Sequence, residues 1–167
     1  THNGYALSFK SSVVRSMGRS AAGVRGIRLR DEDYVIGAAP LNSDSKVLVI
    51  SENGFGKQTP ASEYPIKGRG GLGVKTVNVT AKNGPLVGLT TVNGDEDIML
   101  VTDQGVIIRF GIESVSQTGR SAVGVHLIKM DNGARVATIA KVDKEVDEET
   151  EEVTNNSSQE ENQPTEN

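Results

Sequence analysis

Three arginines stand directly behind a glycine at nearly constant spacing: Gly18-Arg19, Gly68-Arg69 and Gly119-Arg120. Each pair opens a short stretch that closes on a second glycine, at Gly23, Gly73 or Gly124. A guanidinium offers a planar fork of donors that matches paired phosphate oxygens, and small neighbours let a polymer backbone approach the main chain. One such arginine reads equally well as a loop residue facing water. Its threefold recurrence in register points instead to repeated contact with a regularly charged polyanion.

Other cations share that register. Arg25, Lys75 and His126 occupy equivalent positions, as do Arg28, Asn78 and Lys129; Lys67 precedes the second loop, and Arg15, Lys57 and Arg109 add to the positive potential. The candidate contact set is therefore Arg19, Arg69, Arg120, Arg25, Lys75, Arg28, Lys129, Lys67 and Lys57. Phosphate contacts position a protein without reading bases, so recognition of this kind is independent of sequence. Aromatic residues are 4% of the chain and tryptophan is absent, which leaves little to stack on unpaired bases. The expected ligand is duplex rather than single-stranded nucleic acid.

Rival chemistries find less support. Gly68-Arg69-Gly70-Gly71-Leu72-Gly73 satisfies the glycine pattern of a dinucleotide-binding turn. That pattern has meaning only between a strand and a helix, and no helical periodicity follows it. His2 and His126 are far apart, no hydrolase or P-loop motif occurs, and the acidic runs Asp31-Glu32-Asp33 and Asp95-Glu96-Asp97 lack the spacing of a calcium loop. The reading is a non-catalytic binding module with no cofactor and no metal of its own.

Charge is divided along the chain. Residues 1 to 142 hold 17 Lys and Arg against 12 Asp and Glu, a net +5, whereas residues 143 to 167 hold one Lys and ten acids, a net -9. A basic body with an acidic tail implies a polyanionic partner and a tail that competes with it. The tail is rich in Glu, Asn, Ser and Gln and is expected to be disordered. Cysteine is absent, there is no long apolar run and no signal-peptide pattern at the N-terminus, so a reducing, cytoplasmic setting away from membranes is expected.

The elements that must carry these residues form a repeat. Asn3-Gly4 recurs as Asn53-Gly54 and Gln104-Gly105, and the same offsets carry Gly23-Val24 onto Gly73-Val74 and Gly124-Val125. Repeats of about fifty residues are predicted over 1–50, 51–101 and 102–142, followed by the tail over 143–167. Lys46 to Ser51 and Asp97 to Thr102 are β-branched runs ending at a tight turn, and Val35 to Leu41, Leu86 to Val92 and Val136 to Val142 are predicted as a further strand in each unit. Alternation of Ile27, Arg28, Leu29 and Arg30 predicts a strand with one packed and one cationic face. The class is all-β, a propeller-like array of three units. Thr1 aligns with Ser51 and Thr102, so the first unit lacks the strand before its turn, and the array is expected to be cut from a longer one.

The run Met17-Gly18-Arg19-Ser20-Ala21-Ala22-Gly23-Val24-Arg25-Gly26-Ile27-Arg28-Leu29 resembles the C-terminal domains of bacterial DNA gyrase A proteins, as do Asn53-Gly54-Phe55-Gly56-Lys57, Glu63-Tyr64-Pro65 and Ile98 to Gly105. The resemblance covers about residues 1 to 142. It implies a β-pinwheel, usually of six blades, whose basic rim wraps duplex DNA so that the holoenzyme can introduce negative supercoils. It also implies as partners the N-terminal part of gyrase A, which holds the catalytic tyrosine, and the ATP-hydrolysing gyrase B, in a heterotetramer. ATP and Mg2+ would act on those other domains in the bacterial cytoplasm, at the nucleoid. The family's Gln-Arg-Arg-Gly-Gly-Lys-Gly motif is absent, and Lys67 to Gly73 is its nearest counterpart. The equivalent domain of topoisomerase IV and a basic protein-interaction propeller are the alternatives; the Met17 to Leu29 run favours gyrase.

Overall fold

The computed structural model describes residues 1–130 and 133–144. Among the described residues nine strands occur in the order β1 (Tyr5–Ala6), β2 (Lys46–Ser51), β3 (Phe55–Pro60), β4 (Val74–Lys75), β5 (Leu86–Val92), β6 (Glu96–Thr102), β7 (Ile107–Gly111), β8 (Val125–His126) and β9 (Val136–Asp143). Three single-turn 3-10 segments are the only helical structure among the described residues. The all-β reading holds.

Strand pairing explains the repeat. Counted from the strand before each tight turn rather than from the turn itself, the second unit holds β2 to β5 and the third β6 to β9; β5, β2 and β3 are antiparallel neighbours in the second, and the sheet is completed by β8, which belongs to the third. Phe55 pairs with His126 across that seam. Tyr5 pairs with Lys75 in the same relation one unit earlier. The second and third units therefore each lend a two-residue strand, placed just after the Gly-Arg loop, to the sheet of the unit before. The bridges Ser8 to Ile66 and Gln58 to Gln117 repeat the arrangement.

This exchange dictates burial. β2 is sandwiched, with Leu48 and Ile50 packed toward the third unit's Ile98, Leu100 and Ile112, and Val47 and Val49 packed with Tyr64, Val77 and Leu86 on its other side. A strand covered on both faces needs a continuous apolar run, which is what Lys46 to Ser51 supplies. β7, the counterpart of β3, has no exchanged strand along its outer edge among the described residues. Ile107 is accordingly 59% exposed and Val106 50%.

Gly54 sits where two units touch. Its φ is +77°, and a Cβ there would lie 2.6 Å from the Ile128 carbonyl oxygen of the next unit. Only glycine satisfies both the left-handed turn and the approach. The equivalent Gly105, with φ +80°, has nothing within 4 Å, since no further unit follows it among the described residues.

Two predicted strands do not form. Val35 to Leu41 makes no ladder. Its equivalents β5 and β9 pair with β2 and β6, the strands before the turns, and among the described residues the first unit offers Val35 to Leu41 no such partner edge. Gly26 to Arg30 is also irregular: Leu29 is exposed, while Arg30 turns back to donate to the Leu72 carbonyl at 2.8 Å and lies 3.5 Å from the centre of the Tyr5 ring. Polar backbone contacts to the neighbouring loop outweigh the alternating pattern here. At the other end β9 runs through Asp143, one residue into the expected tail, and the tail from residue 145 lies outside the described residues.

Candidate nucleic-acid interface

The Gly-Arg loop precedes the exchanged strand, so it sits at the junction between units. At the first junction the loop lies against an arm of the preceding unit. The Gly70 amide donates to the Gly26 carbonyl at 2.7 Å, the Arg28 amide to Gly71 at 2.8 Å, and the Arg69 side chain to the Arg25 carbonyl at 2.6 Å. These bonds gather Arg25, Arg28 and Arg69 into one patch; Lys67, two residues before Arg69, is held by the bond from its amide to the Ser8 carbonyl at 2.8 Å.

The second junction is built differently. Here the Lys57 ammonium donates to the carbonyls of Gly119 and Arg120, at 2.7 and 2.5 Å. Glu63 accepts from the Arg120 amide at 2.8 Å. Lys57 is completely buried. Burial pushes its pKa down to about 8, with the Arg120 charge acting in the same direction and Glu63 opposing it. Lys57 is therefore corrected from the expected contact set: its donors are committed to main-chain oxygens inside the protein, out of reach of an external phosphate. Its repeat counterparts are Leu7 and Ile108. That column is apolar in the other two units, and this was the available signal that the position faces inward.

The three Gly-Arg arginines are not equally placed. Arg19 is exposed, whereas Arg69 and Arg120 are half-buried with their Nε atoms enclosed and without an acceptor. Enclosure of Nε leaves the outer nitrogens as the groups that can face a ligand, and in Arg69 one of these, Nη1, already donates to the Arg25 carbonyl. Arg25, Arg28, Lys67, Lys75 and Lys129 are all exposed. Among the described residues none of these five, nor Arg19, forms an ion pair. Lys75 has only a long contact to the Asn78 side chain, 3.4 Å.

Four other cations are neutralised locally. Arg109 pairs with Asp97 at 2.8 Å, Lys141 with Glu96 at 3.4 Å and Lys144 with Glu113 at 3.3 Å, while Arg135 pairs with Glu52. The arrangement thus separates balanced charges from a set left open to solvent. Sequence reasoning counted Arg109 toward the open potential and missed Glu63, whose importance depends on a contact 57 residues away.

The acidic runs are structural. Asp33 accepts from the amides of Asn3 and Tyr34 at 2.9 and 3.0 Å. Glu96 is buried, which by itself would raise its pKa, yet the amides of Asn93 and Gly94 and the Lys141 ammonium hold it below the usual carboxylate range. No group of three His, Cys, Asp or Glu side chains placed to hold a metal occurs among the described residues. No helix of the described residues is long and apolar enough to cross a membrane.

Successive β-sheet units tied by exchanged strands, with an open cationic set on the junctions, define a repeat module of the β-propeller class. The model of the DNA gyrase C-terminal domain, a β-propeller, matches residues 1–42, 45–93 and 96–143, and the chain belongs to that family. The DNA gyrase A protein of Staphylococcus epidermidis strain ATCC 12228 is 50% identical over 143 residues, spanning 84% of this chain and 16% of the relative. That of Staphylococcus aureus strain MRSA252 is 47% identical over 153 residues, spanning 90% and 17%. The chain thus spans about a sixth of the length of these relatives.

Among solved structures, a DNA gyrase A C-terminal domain superposes with a TM-score of 0.78 at 28% identity, covering 84% of this chain and 48% of that one. The C-terminal domain of DNA topoisomerase IV gives 0.80 at 26% identity, covering 85% and 45%.

Proposed function

We propose that the module binds the backbone of duplex DNA without regard to sequence and curves it along the unit junctions. In this reading it serves the DNA-wrapping step of a gyrase-type topoisomerase. The carrying observation is the sorting of charge: among the described residues Arg19, Arg25, Arg28, Lys67, Lys75 and Lys129 are exposed without carboxylate partners, while Arg109, Arg135, Lys141 and Lys144 are paired. Exposed cations held apart from acids keep their counterions replaceable by phosphate, and release of ions from the DNA drives binding. Arg69 and Arg120 contribute through their outer nitrogens.

The chemistry of strand cleavage and ATP hydrolysis belongs, in this proposal, to the remainder of the gyrase A protein and to gyrase B, with Mg2+. The module itself supplies geometry, and its site of action is the bacterial cytoplasm. The acidic segment after Lys144 competes with DNA for the same cations, so a chain ending at Lys144 binds more tightly at low salt. Unchanged affinity on that deletion would remove the competition.

The test is a salt titration of this chain on a linear duplex of about 40 base pairs. Affinity falling steeply with salt, equally for unrelated sequences, supports the proposal. Binding to an acidic protein with no DNA affinity at low salt would favour the protein-interaction alternative.

A further inference from the structure

The two described junctions hold their Gly-Arg loops by different means. Arg69 is held by its own guanidinium and by the arm from Arg25 to Arg28. Arg120 receives no such arm; its segment is gripped from the preceding unit by Lys57 on two carbonyls and by Glu63 on the intervening amide. A cation on C=O groups and an anion on an N–H are each the favourable match, and together they fix three consecutive polar groups of the loop backbone. Thr59 adds a bond from its hydroxyl to the Thr118 carbonyl at 3.1 Å. The counterparts of Lys57 and Glu63 are Leu7 and Val13 in the first unit and Ile108 and Ser114 in the third, so the grip is particular to this junction.

Burying an ammonium is costly, and leucine or isoleucine fills the same position elsewhere in the repeat. A packing role alone does not account for lysine here. The Arg120 guanidinium has an enclosed Nε and no acceptor among the described residues, so its own side chain does not set the loop.

We infer that Lys57 and Glu63 are positioning residues that hold the Gly119-Arg120 backbone so that the Arg120 guanidinium is presented, preorganised, to a DNA phosphate. The inference rests on the proposed DNA binding. Preorganisation of this kind removes the ordering cost of the loop from the binding step. Arg69, held by the other device, is independent of it.

The experiment uses this chain with K57M, E63A, E63Q and R120A, and reads two quantities. The first is hydrogen exchange at the Arg120 amide without DNA. The second is affinity for a duplex of about 40 base pairs across salt, including K57M and E63A in the R120A background. Expected are faster Arg120 exchange in K57M and E63A, affinity roughly threefold lower with about one unit less salt slope, as in R120A, and no further loss in the combined variants. E63Q, which keeps the acceptor oxygen, stays near the parent.

Should K57M lose its β-sheet circular dichroism, E63A decides, because Glu63 lies outside the core. Parent-like exchange and affinity in E63A, or losses that add to those of R120A, overturn the inference. If R120A alone leaves affinity and slope unchanged, Arg120 is not a phosphate contact and the inference fails at that step. The salt response of the parent chain reports separately on the module's DNA binding.

Discussion

The Phe55 ring of the second unit lies against the His126 ring of the third, with centroids 3.8 Å apart, and the same two residues are backbone partners between β3 and β8. One residue pair thus joins side-chain packing to strand exchange at a single seam. Phe55 is buried, so Phe55→Ala removes a large apolar surface from a place at the border with the next unit. Destabilisation of about 3–4 kcal/mol is expected in chemical denaturation, with the seam opening first in hydrogen exchange at Val125 and His126. Uniform loss of protection across all three units would show that the seam is not a separate cooperative boundary.

Gly54 and Gly105 provide an internal control. Both adopt positive φ, but only Gly54 faces a carbonyl of another unit. Gly105→Ala should cost about 1–2 kcal/mol for the left-handed backbone alone. Gly54→Ala should cost distinctly more, since the Ile128 carbonyl must also move. Equal losses in thermal melts would mean that the junction yields freely.

The buried Lys57 has a pH consequence whose sign is opposite to that of an ordinary ion pair. Its pKa falls from 10.5 to about 8 on folding, through burial first, with Arg120 adding and Glu63 opposing; Tyr64 is a further titratable group facing Arg120 and Glu63. Below pH 8 both states carry the proton and the folded state bears the desolvation cost. Between pH 8 and 10.5 the unfolded state binds the extra proton, so this group's contribution to stability rises with pH and then levels off. Unfolding of the parent compared with K57M at about pH 7.5 and about pH 9.5 isolates the effect, because Tyr64 and the N-terminus titrate in both proteins. A stability difference that does not change between the two pH values would contradict it.

The strands that were legible in the sequence are those whose pattern is set by their own residues. β2, β5, β6 and β9 carry β-branched runs that pair with one another as central and neighbouring strands. Val35 to Leu41 has comparable composition, but a ladder also needs a partner edge, and composition does not record whether one is present. β8 and β4 are two residues long and owe their existence to the preceding unit, so no local pattern announces them. The same limit governed the site. Regular spacing picked out Arg25, Arg28, Lys75 and Lys129, which are exposed, whereas Lys57 was added to them as a cation alone although β3 is closed over by the next unit. Reading the column Leu7, Lys57, Ile108 as one position would have separated it.

In the proposed function, exposed and unpaired cations, rather than net charge, make the DNA contact. Salt slopes of two variants of this chain test this most directly. One replaces Arg19, Arg25, Arg28, Lys67, Lys75 and Lys129 by Gln; the other replaces Arg109, Arg135, Lys141 and Lys144 by Gln. The first is predicted to lose most of the slope, by about one unit for each phosphate contact removed, and the second to keep nearly all of it. Equal loss of slope per charge removed in the two variants would contradict the sorting of charge as the basis of binding.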